Sequence, residues 1–122
     1  MDRNRFKKER RNKIRRRVRS TIHGTSERPR LAIYKSNKHV YLQLIDDMKG
    51  ETLVGISSRS KAYCEELEGK GGIDQARFLG QEVAKLAKDR GVEKAVYDRS
   101  GYKYHGIVKT AAEAAREGGL DL

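Results

Sequence analysis

Between residues 31 and 57 the apolar side chains of this chain tend to recur at every second position, and beyond residue 72 they recur at every third or fourth. That switch of period calls for strands first and a helix later, and it constrains the fold more than any composition figure does. Leu31 to Lys35 reads as a strand, closed by the turn Ser36-Asn37-Lys38. Val40 to Ile45 follows as a second strand, with Val40, Leu42 and Leu44 on one face and Tyr41 and Gln43 on the other. Asp46 to Gly50 reads as a turn and Thr52 to Ser57 as a third strand. Connections this short make the three an antiparallel meander.

A polar, glycine-bearing stretch, Glu65 to Gly72, separates the meander from the helical pattern. Ile73, Ala76, Leu79, Val83 and Leu86 form the stripe of an amphipathic helix. Asp74 suits its first turn electrostatically, and Gly91 supplies the stop. Lys94 to Asp98 reads as a short strand and Gly106 to Gly118 as a last helix, with Val108, Ala111, Ala112 and Ala115 inward. The order is β-β-β-α-β-α. A strand–helix–strand crossover is right-handed in nearly all cases, so the fourth strand is expected beside the first and parallel to it. The expected class is therefore α/β: an RNase H-like mixed sheet of about four strands, order 3-2-1-4, with both helices on one face.

Charge divides the chain near residue 27. Its 122 residues carry 28 Lys and Arg against 17 Asp and Glu, a formal charge of +11. Residues 1–30 hold 13 of the basic groups and three acidic ones (Asp2, Glu9, Glu27), a balance of +10; the other 15 basic and 14 acidic groups leave +1. We expect a basic N-terminal arm, 1–27, on a nearly neutral domain, 28–122. Repulsion among Arg15, Arg16, Arg17 and Arg19 opposes order in the arm until a polyanion neutralises them. Phe6, Ile14, Val18 and Ile22 would line a narrow helical stripe, too little to insert into a membrane surface. Nucleic acid is the expected polyanion. No run of about 18 apolar residues reads as a membrane span, and no apolar segment follows the basic N-terminus as in a secretory signal. Cys64 is the only cysteine, without a partner for an internal disulfide.

An RNase H-like topology raises a nuclease alternative, since such enzymes gather carboxylates at strand ends to hold two metal ions. The candidates are Asp46, Asp47 and Asp98, yet the first strand, LAIYK, carries no acid, and turn chemistry explains Asp46 and Asp47. No catalytic site, metal or cofactor is expected. Two other segments have the composition of RNA contacts. Asp98-Arg-Ser-Gly-Tyr-Lys-Tyr-His-Gly106 follows a strand directly, and Lys35-Ser-Asn-Lys-His39 with Tyr41 surrounds a turn. Rings stack on bases, cations meet phosphates, and glycine lets a backbone approach closely. The alternatives are aromatics that cap the core in the first segment and a solvated hairpin in the second.

Together the basic arm, ERPRLAIYKSNKHVYLQLIDD at 27–47 and YDRSGYKYHGIVKTAAEAAREGGL at 97–120 resemble the L18 family, the bacterial large-subunit ribosomal proteins that bind 5S rRNA. The resemblance runs over almost the whole chain. It implies a structural role: docking on 5S rRNA, attaching it to the large subunit in the central protuberance, and touching large-subunit rRNA and neighbouring proteins in the cytoplasm. No enzymatic activity, membrane or small-molecule substrate is implied. In the arm it points to Arg3, Arg5, Lys7, Lys8, Arg10 and Arg11, then to Lys13, Arg15, Arg16, Arg17 and Arg19. Next come Arg28 and Arg30, then Lys35, Ser36, Asn37, Lys38, His39 and Tyr41. In the last motif it points to Arg99, Tyr102, Lys103, Tyr104 and His105. Ile107 departs from the family, which usually has Arg there; Lys103 and Lys109 are the nearby cations that could replace it. Leu122 stands where the family often has an aromatic. The readings set against this one are a basic DNA-binding protein and the metal-dependent nuclease.

Overall fold

The computed structural model describes residue 10 and residues 24–122. Four strands and two helices follow in the order β1 (Arg30–Lys35), β2 (Val40–Asp46), β3 (Glu51–Ser57), α1 (Gly72–Asp89), β4 (Val96–Asp98) and α2 (Gly106–Glu117). They form one sheet in the order β3-β2-β1-β4, as expected from the crossover rule. β1 and β2 are antiparallel from Arg30↔Ile45 to Lys35↔Val40, while β4 runs parallel to β1 with Ala32 opposite Asp98. The β2–β3 register shifts between Leu44 and Ile45, an irregularity that alternation alone does not announce.

Strand alternation decides what the sheet buries. Leu31 and Ile33 of β1, Val40, Leu42 and Leu44 of β2, and Val54 and Ile56 of β3 join one core with the helices. Burying each such side chain stabilises the fold by about 1.5–3 kcal/mol. The opposite face carries Tyr34, Tyr41, Gln43 and Gly55, all exposed or half-buried. Helix α1 buries Ala76, Leu79, Val83, Ala84 and Ala87. Ile73, expected at the head of that stripe, is instead 40% exposed. Gln75 is buried in its place, held by its amide, which donates to the carbonyls of Lys38 (3.1 Å) and Lys70 (3.0 Å).

Helix α2 buries Val108, Ala111, Ala112, Ala114 and Ala115 against α1. The helices approach so closely that a Cβ on Gly80 would stand 2.6 Å from the Ala111 carbonyl oxygen, so this position admits only glycine. Residues 58–69, read from sequence as partly polar, form a series of turns that sends Leu67 into the core and sets Tyr63 edge-on to Phe78 at 5.5 Å. The C-terminal segment returns beside β4, where the Ala95 amide donates to the Asp121 carbonyl at 2.8 Å.

Candidate nucleic-acid interface

The hairpin tip between β1 and β2 is shaped by Ser36. Its amide donates to the His39 carbonyl at 2.9 Å, and its hydroxyl accepts from the His39 amide at 3.3 Å. This leaves Lys35, Ser36, Asn37 and Lys38 exposed. His39 is half-buried, its Nδ1 3.0 Å from the Ser58 hydroxyl, which accepts from the buried Val40 amide. One side of that ring thus belongs to the scaffold. Tyr41 lies on the open sheet face beside Tyr34, ring centroids 5.6 Å apart and tilted. Tyr34 is 52% exposed, and the sequence reading did not single it out.

The segment after β4 turns sharply. Asp98 is buried and its carboxylate accepts from the Ser100 amide at 2.8 Å, holding Ser100 at φ 55°, a left-handed conformation uncommon for a residue with a Cβ. The Tyr102 amide then donates to the Arg99 carbonyl at 3.0 Å. Lys103, Tyr104 and His105 emerge exposed, and Arg99 is half-buried. The Tyr104 ring packs edge-on to Tyr97, and its hydroxyl accepts from Arg116 at 2.9 Å. Tyr97 in turn donates its hydroxyl to the Val108 carbonyl at 2.7 Å. Burial, first, and the neighbouring Tyr104 raise the Tyr97 pKa well above its ordinary value.

Tyr102 is only 8% exposed. Its hydroxyl lies 3.4 Å from both the amide and the carbonyl of Lys35, and the Lys35 ammonium stands 5.4 Å from the ring centroid. So the fold assigns Tyr102 to the core-capping role that the sequence left open. It also joins two segments separated by more than sixty residues into one end of the sheet: the hairpin and the 99–105 loop are neighbours because β4 runs parallel to β1.

Arg30 behaves unlike the other motif cations. It is 8% exposed; Nε and Nη2 donate to Asp47 at 3.0 Å each, and Nη1 donates to Asp98 at 2.8 Å. Hydrogen bonding to Asp47 is the main cause that raises its pKa, burial opposes it, and Asp98 adds to the rise. Arg30 was expected to face RNA; in the structure its guanidinium is turned into the body, where Asp47 and Asp98 engage it. Asp47 also accepts from the Gly24 amide at 2.7 Å, while the Gly24 carbonyl accepts from the Asp47 amide at 3.0 Å. A Cβ on Gly24 would collide with the Arg30 amide and the Ile45 carbonyl, so the chain's entry into the body is closely fitted. Arg28 is exposed.

The carboxylates weighed for metal chemistry are committed elsewhere. Asp47 and Asp98 grip Arg30, and Asp46 accepts from the Met48 and Lys49 amides at its turn. Of the arm's expected contacts only Arg10, which is exposed, lies within the described residues. Arg3, Arg5, Lys7, Lys8, Arg11, Lys13, Arg15, Arg16, Arg17 and Arg19 lie outside them. Ile107 is half-buried and packs against Gly72 at the start of α1, an apolar contact where the family's arginine was expected.

Fold and surface together define a class: a small α/β domain with basic and aromatic groups gathered at one end of its sheet. The sequence profile of ribosomal L18 of archaea, bacteria, mitochondria and chloroplast matches residues 5–122. The chain is 51% identical over 106 residues to the large ribosomal subunit protein uL18 of Staphylococcus haemolyticus, covering 87% of each chain. It is 50% identical over 117 residues to uL18 of Solibacter usitatus, covering 95% of each. Against uL18 of Caldicellulosiruptor saccharolyticus it is 47% identical over 121 residues, covering 96% of this chain and 98% of the relative. The chain belongs to the ribosomal L18 family.

Proposed function

We propose that the chain is a structural component of the large ribosomal subunit that binds 5S rRNA and helps attach it in the central protuberance. Its partners are 5S rRNA, with large-subunit rRNA and neighbouring ribosomal proteins, and it acts in the cytoplasm without catalysing a reaction. The observation that carries this reading is the contact of Tyr102 with Lys35, which unites the hairpin and the 99–105 loop into one basic and aromatic surface. That surface lies at the Lys35 end of β1, where Lys35, Lys38 and Lys103 are all exposed. In this proposal the arm, 1–27, supplies affinity by neutralising phosphates, and the domain, 28–122, supplies discrimination. Lys35, Lys38 and Lys103 meet the backbone, while Tyr41, Tyr104 and His105 offer rings to unpaired bases.

The test is equilibrium binding of the full chain to 5S rRNA, to random RNA of equal length and to duplex DNA, at several salt concentrations and with Mg²⁺ present. The proposal expects preference for 5S rRNA, a steep salt dependence and no cleavage. Equal affinity for all three nucleic acids would contradict it.

A further inference from the structure

The Asp47–Arg30–Asp98 cluster links two pieces of the proposed interface that are far apart in sequence. On one side Asp47 holds Arg30 through two hydrogen bonds of 3.0 Å and also holds the Gly24 amide, the point at which the basic segment joins the body. On the other, Asp98 holds Arg30 at 2.8 Å and, with its second oxygen, the Ser100 amide at 2.8 Å. Asp98 is fully buried, and Ser100 begins the loop whose later residues are exposed. A planar guanidinium with a rigid fork of donors can hold both carboxylates at once in fixed directions; an ammonium cannot.

We propose that Arg30 is a positioning residue: bridging Asp47 and Asp98, it fixes the root of the basic arm and the 99–105 loop relative to each other, so that both meet one RNA in register. This rests on the proposed 5S rRNA binding. Arg30 gives the interface its geometry without touching a phosphate, and Ser100 keeps its left-handed backbone because Asp98 is anchored from behind.

The decisive variant is Arg30→Lys in the full chain. It keeps the charge and loses the fork, so a phosphate contact would survive it and a positioning role would not. Asp47→Asn, whose side chain is 27% exposed, is the gentler second variant should Arg30→Lys fail to fold. Each is measured below its own melting transition for affinity to 5S rRNA and to random RNA of equal length, for the salt slope, and for amide exchange at Ser100 and Tyr102. Expected are about a tenfold loss on 5S rRNA, random RNA within twofold, an unchanged slope, and faster exchange in the loop. Lys38→Gln is the comparator for a true phosphate contact and should lower the slope by roughly 0.7–0.9. Full retention of 5S affinity by Arg30→Lys would overturn the positioning role. If the wild-type chain showed no preference for 5S rRNA, the proposed function would fail. Unchanged exchange at Ser100 in the variants would then dispose of the positioning role separately.

Discussion

At its first residue β1 holds Arg30, 8% exposed and gripped by Asp47 and Asp98. At its last residue the same strand holds Lys35, exposed, with its ammonium over the Tyr102 ring. Both cations come from one short motif, RPRLAIYK, and both suit a polyanion by residue type. Position along the strand separates them. The Arg30 end lies where the chain enters the body and where two acidic turns converge. The Lys35 end opens into the exposed hairpin tip. Basic residues in a nucleic-acid-binding motif therefore divide into those that offer charge outward and those that spend it on architecture, and only the partners tell which is which.

The sharpest way to break this contrast is to remove each cation. Arg30→Ala would leave two carboxylates, one fully buried, facing each other without their counter-charge, at a cost of about 3–5 kcal/mol. Lys35→Ala should stay within about 0.5 kcal/mol, as exposed positions do. Urea unfolding of both variants gives the comparison directly, and similar values for the two would end the distinction.

Tyr102 extends the contrast to rings. Truncating it to alanine removes a buried aromatic and should destabilise the domain by about 3 kcal/mol. Tyr102→Phe loses the two long hydrogen bonds to Lys35, about 0.5–1 kcal/mol. If the Tyr102→Ala domain kept its stability while losing 5S rRNA affinity, the ring would be a contact after all and not a cap.

Much of this was legible beforehand, and the boundary has a physical reason. Alternation in Val40 to Ile45 and the helical spacing from Ala76 to Leu86 are local signals, and handedness of one crossover then fixes the strand order. The roles of Arg30 and Tyr102 depend on partners distant in sequence: Asp98 is 68 residues from Arg30, and Lys35 is 67 residues from Tyr102. No residue pattern states such a pairing; only the folded register brings it about. The turn at Ser36 to Lys38 is set by the local bonds between Ser36 and His39, and its residues are exposed. Gln75 inside the apolar stripe was missed because one of the carbonyls that hold its amide, that of Lys38, is 37 residues away.

A smaller effect concerns the support behind the exposed loop. Tyr97 keeps its proton in the folded domain to higher pH than an unfolded tyrosine, whose pKa is about 10. A group whose folded pKa is raised contributes stability that is full below the unfolded value and is lost as pH climbs beyond it. Tyr97→Phe should therefore cost about 1 kcal/mol at pH 8 through the lost bond to the Val108 carbonyl, and that difference should shrink at pH 11. A constant difference between the two pH values would mean that Tyr97 ionises alike in both states.

The central claim is that exposed residues of the 99–105 loop discriminate the RNA while buried ones hold the loop in place. His105→Ala tests it with least disturbance, since the side chain is exposed and makes no cap on α2. Affinity for 5S rRNA and for random RNA of equal length is measured in parallel with the melting temperature. The account predicts a loss of about tenfold on 5S rRNA, as for a stacked ring worth about 1–3 kcal/mol, with random RNA and melting temperature unchanged. Equal losses on both RNAs, or none in a fully folded variant, would contradict it.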